Sequence, residues 1–160
     1  MTDLSQILEI KEFGEEGVEL LSSMHKIGFK NQPEQSWAEN EFREVFSING
    51  TKSYVVSRGG EPIGFVLLRI IAEEVEIITF CMLPKWCNNG YSTYLLEQII
   101  KKLQLQSIKR LFLEVRENND AAIRLYNKCS FKVIGRRTGY YNNHLGSKID
   151  ALVMQRQLIV

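Results

Sequence analysis

The fold is indicated most clearly by one stretch of the sequence, Leu113-Glu114-Val115-Arg116-Glu117-Asn118-Asn119-Asp120-Ala121-Ala122-Ile123-Arg124-Leu125-Tyr126. Its first residues alternate between apolar and polar, which predicts a strand over residues 110–115 with Glu114 on the side opposite Leu113 and Val115. Its polar middle, residues 118–120, can cap the free amides of a helix over about residues 120–128. The stretch therefore predicts a strand that ends beside a carboxylate and leads directly into a short helix.

A strand and a longer helix precede this stretch. The helix covers about residues 91–103, and one apolar stripe runs along it: Leu95, Leu96, Ile99, Ile100 and Leu103. An apolar strand over residues 75–82 comes before it. A strand, a helix and a second strand in this order predict two parallel strands joined by a crossover. The helix start, residues 87–93, offers free backbone amides that can bind an anion.

Shorter segments on either side complete a mixed sheet. Strands are predicted over residues 7–10, 53–58, 62–71, 132–136 and 150–157, and helices over 15–26 and 37–46. Gly59 and Gly60 between two apolar segments predict a hairpin. We expect an α/β (mixed α+β) fold with a mixed central sheet of six to seven strands and about four helices on both faces. Because no repeat or Pro/Gly-rich linker interrupts residues 1–160, we expect a single domain.

Composition excludes several classes of function. The formal net charge of +1 gives no global field for nucleic acid or a membrane surface, so neither is an expected partner. The three cysteines have no C-x-x-C spacing, and His25 and His144 are isolated, so no metal site is expected. No signal peptide and no long apolar run is evident. The expected location is therefore the cytoplasm.

Several motifs in the second half of the chain occur in a familiar order. The run L-E-V-R-x-x-N-x-x-A-x-x-L-Y is followed by Ser130-Phe131 and then by Arg136-Arg137-Thr138-Gly139-Tyr140-Tyr141. This pattern resembles the GNAT acetyltransferase superfamily. Within it, the sequence is most similar to the RimI-type ribosomal-protein alanine N-acetyltransferases, from about residue 59 to residue 154. The resemblance implies a GNAT fold and acetyl-coenzyme A as the acetyl donor.

The resemblance also implies roles for particular residues. It makes Glu114 the proton acceptor, Tyr126 the proton donor, and Tyr140 and Tyr141 the aromatic pair beside the groove for the acceptor. It places the coenzyme on the loop residues Asn88, Asn89, Gly90, Tyr91, Ser92 and Thr93, on the backbone of Phe80, Cys81 and Met82, and on Asn119. From the residues alone, a same-face ion pair of Glu114 with Arg116 and an ordinary packing role for Tyr126 are the alternatives.

The implied roles suit the chemistry of amine acetylation. An α-amino group has a pKa of about 7.7 to 8.0, so much of it is protonated and unable to attack at neutral pH. Glu114 could remove that proton directly or through one water, and the amine would then attack the thioester. Tyr126 would protonate the departing thiolate. Cys87, although close to the coenzyme loop, has no histidine nearby and is expected to be an inert thiol.

The phosphate loop departs from the family pattern Q/R-x-x-G-x-G/A. Cys87 stands at its first position, Asn88 where arginine is common, and Ser92 at its last position, whereas Gly90 is retained. Losing a cation removes charge-assisted contacts of roughly 1.5 to 3 kcal/mol, which predicts weaker coenzyme binding unless Lys85 substitutes. Ser130 replaces the usual glycine before Phe131, which predicts an altered turn.

Three classes of function follow from these patterns. The first is acetylation of a peptide or protein N-terminus, in particular that of a ribosomal protein. The second is acetylation of a small-molecule amine such as a polyamine, against which we count the basic residues Arg136, Arg137 and Lys148 near Tyr140. The third is a catalytically weak coenzyme-binding module, suggested by the altered phosphate loop.

Overall fold

A computed structural model describes residues 2–32, 35–142 and 145–158. Its strands are β1 (Leu8–Phe13), β2 (Thr51–Arg58), β3 (Glu61–Ile71), β4 (Glu74–Met82), β5 (Arg110–Arg116), β6 (Lys132–Asn142) and β7 (Lys148–Gln157). Its α-helices are α1 (Val18–Gly28), α2 (Glu39–Phe46), α3 (Tyr91–Leu105) and α4 (Asp120–Lys128). Short 3-10 turns cover Leu4–Gln6, Glu15–Gly17 and Pro84–Trp86.

The seven strands form one mixed sheet in the order β1-β2-β3-β4-β5-β7-β6. The β4/β5 pair is parallel and α3 connects its two strands, as the apolar pattern predicts. The other neighbouring pairs are antiparallel. Gly59 and Gly60 both have positive φ and join β2 to β3, which confirms the predicted hairpin.

The side chains of neighbouring strand residues point to opposite faces of the sheet. Each face therefore presents apolar side chains, and helices cover both faces. On one face, Val55, Phe65 and Leu67 pack with Leu21 of α1 and Phe42 of α2. On the other face, a larger core joins β2 to β5 with α3 and α4, and it includes Val56, Val66, Leu68, Leu95, Ile99 and Leu103. The predicted α/β fold, with six to seven strands and about four helices on both faces, is thereby confirmed.

Several element ends differ from the sequence-based prediction. Residues 15–17 form a 3-10 turn before α1, and α2 begins at Glu39 because the Glu41 carboxylate accepts the amide of Ala38 at 2.9 Å. The largest difference is β6, which was predicted to end at residue 136 and extends to Asn142. Ser130 adopts the left-handed conformation with φ of 65°, which explains why glycine suits that position. His144 lies outside the described residues.

None of the helices in the described ranges is both long enough and apolar enough to span a membrane.

Candidate active site

A cleft opens in the sheet where β4 and β5 separate. The two strands pair only from Glu74–Ile77 to Arg110–Leu113, although both continue further along the chain. The β3/β4 register shifts between Leu67 and Leu68, so Ile78 is an extra residue where the separation begins. Two adjoining cavities of about 390 and about 560 Å³ occupy the gap, and Tyr126 and Asn119 line both.

The free edge of β4 exposes backbone groups to the larger cavity. Leu83 donates its amide to the Ile63 carbonyl at 2.9 Å, which makes this a hydrogen-bonded pair. Since such pairs alternate along an antiparallel ladder, Cys81 also bonds to β3, whereas the backbone groups of Phe80 and Met82 face the cleft. An extended ligand arm can therefore bind to Phe80 and Met82 as an added strand would.

The thiol of Cys81 points away from this edge. It donates to the Met24 carbonyl at 3.7 Å, and burial raises its pKa to about 12. The Cys87 thiol lies 3.7 Å from the Met82 carbonyl oxygen, and partial burial raises its pKa as well. Both thiols are therefore protonated at neutral pH, which agrees with the expectation of an inert Cys87.

The predicted phosphate loop forms the start of α3. Gly90 occupies the position before the helix with φ of 78°, and Asn88 has φ of 62°. No side chain in the described residues caps this end, so the first amides of α3 are free for an anion. Asn88, Gly90, Ser92 and Thr93 line the larger cavity.

Two other loop residues have structural contacts. The Asn89 side chain donates to the Cys87 carbonyl at 2.9 Å and so fixes the loop. Tyr91 is buried, and its ring centre lies 6.2 Å from that of Trp86.

Asn119 caps α4, because its side-chain oxygen accepts the Ala122 amide at 3.2 Å, and it also lines both cavities.

The Glu114 carboxylate lines the smaller cavity and has two partners from β6. Arg137 Nε lies 2.8 Å from Glu114 Oε1, and the charge of the same carboxylate raises the pKa of the nearby Tyr140 phenol. Among the described residues, the ion pair of Glu114 is with Arg137 and not with Arg116, whose guanidinium donates to the Gln32 side chain at 2.8 Å. The carboxylate side chain is 19% exposed, so solvent can still reach it.

Tyr126 stands in the wall between the two cavities. It is buried, and that burial raises its pKa, with smaller contributions from Tyr141 and Cys129. A raised pKa keeps the phenol protonated, which is the state that a proton donor needs. Tyr140 and Tyr141 line the smaller cavity with their ring centres 5.0 Å apart in an edge-on arrangement.

Charge near Tyr140 differs from the sequence-based expectation of a basic groove. Arg136 bonds to both Glu117 and Asp150, and Arg137 pairs with Glu114. Glu76 also lines the smaller cavity beside Glu114. The charges of both arginines are therefore balanced by carboxylates, so Arg136 and Arg137 no longer count against a cationic acceptor, whereas Lys148 lies beside Gly139.

Some residues at the cleft were not predicted to belong to it. His25 lines the smaller cavity, and its Nδ1 accepts the Trp37 amide at 3.0 Å. Arg124 and Lys128, one turn apart on α4, line the larger cavity. The four-residue spacing places both cations on one face of the helix. This spacing can be read from the sequence, but the sequence does not show which cavity that face borders. Among the described residues, no group of three or more potential metal ligands was found.

The fold and the cleft define a class of protein that comparison with known families identifies. Residues 18–131 match the model of the acetyltransferase (GNAT) family. This match covers most of the chain, and the chain therefore belongs to the GNAT acetyltransferase family.

Relatives within the family are more specific. The chain is 33% identical over 92 residues to the ribosomal protein bS18 alanine N-acetyltransferase of Haemophilus influenzae, covering 58% of this chain and 62% of that protein. The chain thus spans slightly less than two thirds of this relative. It is 28% identical over 121 residues to the enzyme of the same name from Escherichia coli, covering 74% and 78%. The similarity to RimI-type proteins that the motifs indicate is thereby confirmed.

Solved structures share the fold. The crystal structure of a ribosomal-protein alanine N-acetyltransferase from Escherichia coli matches with a TM-score of 0.87 at 21% identity, over 96% of each chain. Arabidopsis thaliana NAA60 in complex with acetyl-CoA matches with a TM-score of 0.77 at 20% identity, over 94% of this chain and 98% of that one.

Proposed function

We propose that this protein transfers the acetyl group of acetyl-CoA to the free α-amino group at the N-terminus of a ribosomal protein. One observation carries the proposal: the Glu114 carboxylate and the Tyr126 phenol line one cavity, which adjoins a second cavity lined by the start of α3. Names of the relatives support the choice of acceptor. A ribosomal-protein acceptor also favours the cytoplasm as the place of action.

The coenzyme extends along the larger cavity in this proposal. Its pyrophosphate binds the free amides at Gly90, Tyr91, Ser92 and Thr93. Its pantetheine arm pairs with the backbone of Phe80 and Met82, and so brings the thioester to the wall between the cavities. The Tyr126 side chain lies in that wall, next to the sulfur that leaves.

Reaction begins when Glu114 takes a proton from the acceptor ammonium, directly or through one water. The free amine attacks the thioester carbonyl and forms a new C–N bond, while the C–S bond breaks. A backbone amide of Phe80 or Met82 stabilises the oxyanion, a contribution of about 3 kcal/mol in comparable sites. Tyr126 donates its proton to the thiolate, and coenzyme A leaves as the free thiol. The acetylated nitrogen then loses its second proton, which returns to the Tyr126 phenolate directly or through water, and Glu114 releases the first proton to solvent.

The cations that the phosphate loop lacks come from α4 in this proposal. Arg124 and Lys128 line the same cavity as Gly90. Lys85, the substitute that the sequence suggested, has its ammonium 4.9 Å from the centre of the Trp86 ring. Arg124 and Lys128 are therefore better placed to face a phosphate held at Gly90.

The test measures release of free thiol from acetyl-CoA with a peptide that has an unblocked small first residue. The matched control is the same peptide with a blocked N-terminus. We expect turnover with the free peptide alone, and Glu114→Gln slows it about a hundredfold because the base is lost. Wild-type turnover by Glu114→Gln would contradict the assigned role, and no turnover with any free peptide would contradict the acceptor class.

A small-molecule amine is the second candidate acceptor, and the paired charges near Tyr140 favour keeping it. Glu76 and Glu114 both line the smaller cavity, where a cationic amine would compete with Arg69 and Arg137 for them. The same assay with a polyamine separates the two candidates. Higher kcat/KM for the polyamine than for every peptide would establish the small-molecule activity, whereas tight acetyl-CoA binding without any turnover would establish a coenzyme-binding module.

A further inference from the structure

The β6 strand contains an irregularity that decides where Tyr140 points. Arg137 pairs with Ala151 and Tyr141 with Ile149, so residues 138–140 lie opposite Asp150 alone. In a regular strand, neighbouring side chains point to opposite faces, and Tyr140 would lie on the face away from Arg137 and Tyr141. Both tyrosines nevertheless line the smaller cavity. The bulge therefore turns Tyr140 toward Glu114.

Asp150 fixes this bulge from the other strand. Its Oδ1 accepts the Gly139 amide at 2.8 Å, and its Oδ2 accepts from Arg136 at 3.0 Å. Gly139 has φ of 62°, a left-handed conformation that glycine adopts readily. Arg136 also bonds to Glu117, whose amide donates to the Asp150 carbonyl at 3.0 Å. The Asp150 side chain thus connects the bulge to the end of β5.

Asp150 is directed away from the acceptor cavity. Its neighbours along β7, Ile149 and Ala151, pair with Tyr141 and Arg137, which share the face of Glu114. Strand alternation therefore places the Asp150 side chain on the opposite face, together with Arg136. From there it cannot touch an acceptor bound in the cavity and can act only through β6.

We propose that Asp150 is a positioning residue: by holding the Gly139 bulge, it sets Tyr140 and Arg137 against the Glu114 carboxylate in the acceptor cavity. This inference rests on the proposed function, in which Glu114 is the base. The bulge fixes where the carboxylate points and the shape of the wall that the acceptor meets. The coenzyme cavity is lined by other elements and is independent of Asp150.

Two substitutions separate the contacts of this carboxylate. Asp150→Ala removes both the Gly139 and the Arg136 contact. Asp150→Asn keeps an oxygen that can accept the Gly139 amide and loses the charge. Glu73→Ala is the matched control, because Glu73 pairs with Lys109 at 2.6 Å in an exposed ion pair at the opposite end of β5. Each variant is assayed for kcat and KM of the acceptor and for the Kd of acetyl-CoA, and hydrogen exchange is followed over residues 137–142.

We expect Asp150→Ala to lower kcat/KM for the acceptor about tenfold or more, because the Gly139 amide loses its acceptor and the bulge is no longer held. Its acetyl-CoA affinity stays at the wild-type value, and exchange over residues 137–142 becomes faster. Asp150→Asn recovers most of the activity, and Glu73→Ala matches the wild type. Unchanged kcat/KM in Asp150→Ala, an equal loss of acetyl-CoA affinity, or no recovery by Asp150→Asn would overturn the inference. An inactive wild type would instead overturn the proposed function.

Discussion

Single side chains at the cleft have their chemical states set by burial and by their neighbours. Tyr126 is kept protonated by its buried position, whereas the Glu114 carboxylate is held by Arg137 and Tyr140. The proposed reaction uses these two groups, a phenol that can donate a proton and a carboxylate that can accept one, in one cavity. The chemistry at this scale therefore follows from where the two groups lie.

The role of the Tyr126 hydroxyl as a proton donor can be tested by removing it. Tyr126→Phe removes the proton donor and keeps the ring, so kcat should fall about a hundredfold while the Kd of acetyl-CoA stays unchanged. Tyr54→Phe is the control, because Tyr54 is also a buried tyrosine and its hydroxyl donates to Glu12 of β1 at 3.0 Å. Loss of turnover in both variants, or in neither, would contradict the role of Tyr126.

His25 gives a prediction about pH and stability. Burial lowers its pKa from 6.5 to about 4, so the folded protein keeps this imidazole neutral where the unfolded chain protonates it. The His25 contribution to the free energy of unfolding is therefore complete above about pH 6.5 and decreases as the pH falls toward 4. Urea unfolding between about pH 7 and about pH 5 should show this decrease.

The control for that measurement is His25→Asn, whose side-chain oxygen can still accept the Trp37 amide. This variant does not titrate in the same range, so its free energy of unfolding should depend less steeply on pH than that of the wild type. Identical slopes for the two proteins would show that His25 is not the group responsible.

Helix α4 supplies both its start and one of its faces to the larger cavity. Asn119 caps the helix at the point where the two cavities meet, and Arg124 and Lys128 continue along the larger one. In the proposed function, this arrangement compensates for the loop before α3, where Cys87 and Asn88 carry no charge.

Replacing both α4 cations tests this compensation. Arg124→Gln with Lys128→Gln should raise the Kd of acetyl-CoA tenfold or more, since charge-assisted contacts of roughly 1.5 to 3 kcal/mol are lost. The salt dependence of binding should weaken in parallel, because fewer ion pairs remain to be screened. Lys85→Gln, which removes a cation outside the cavity lining, is the control. A larger effect from Lys85→Gln than from the double variant would contradict the proposal.

Most elements could be predicted from the sequence because their signals are local. The apolar stripe of α3, the glycine pair after β2 and the alternation of β5 each determine a structure without distant partners. The extension of β6 could not be predicted, because residues 138–140 are held by Asp150 from another strand. The partner of Glu114 was missed for the same reason, since Arg137 reaches it across β7 from an irregular strand.

The whole molecule is organised by one sheet that supplies both hydrophobic cores. Neighbouring residues of β2 and β3 alternate between them, so neither core can lose its strands without disturbing the other. We propose on this basis that the chain unfolds as one cooperative domain.

Two tryptophans allow that cooperativity to be measured. Trp37 packs against the core under α1 and α2, and Trp86 packs against the core under α3 and α4. Fluorescence of Trp86→Phe and of Trp37→Phe therefore reports on one core at a time. We expect the two urea transitions to coincide with the transition measured by circular dichroism, after correction for the stability of each variant. Separate transitions for the two cores would contradict a single domain.

We propose that acetyl-CoA meets an amine where β4 separates from β5. A crystal structure with acetyl-CoA and an acceptor peptide tests it most directly. We expect the pyrophosphate at the amides of residues 90–93 and the pantetheine arm along Phe80 and Met82. The sulfur should lie within about 3 Å of the Tyr126 hydroxyl, and the peptide amine within reach of Glu114. A coenzyme bound elsewhere, or a Glu114 carboxylate turned away from the amine, would contradict it.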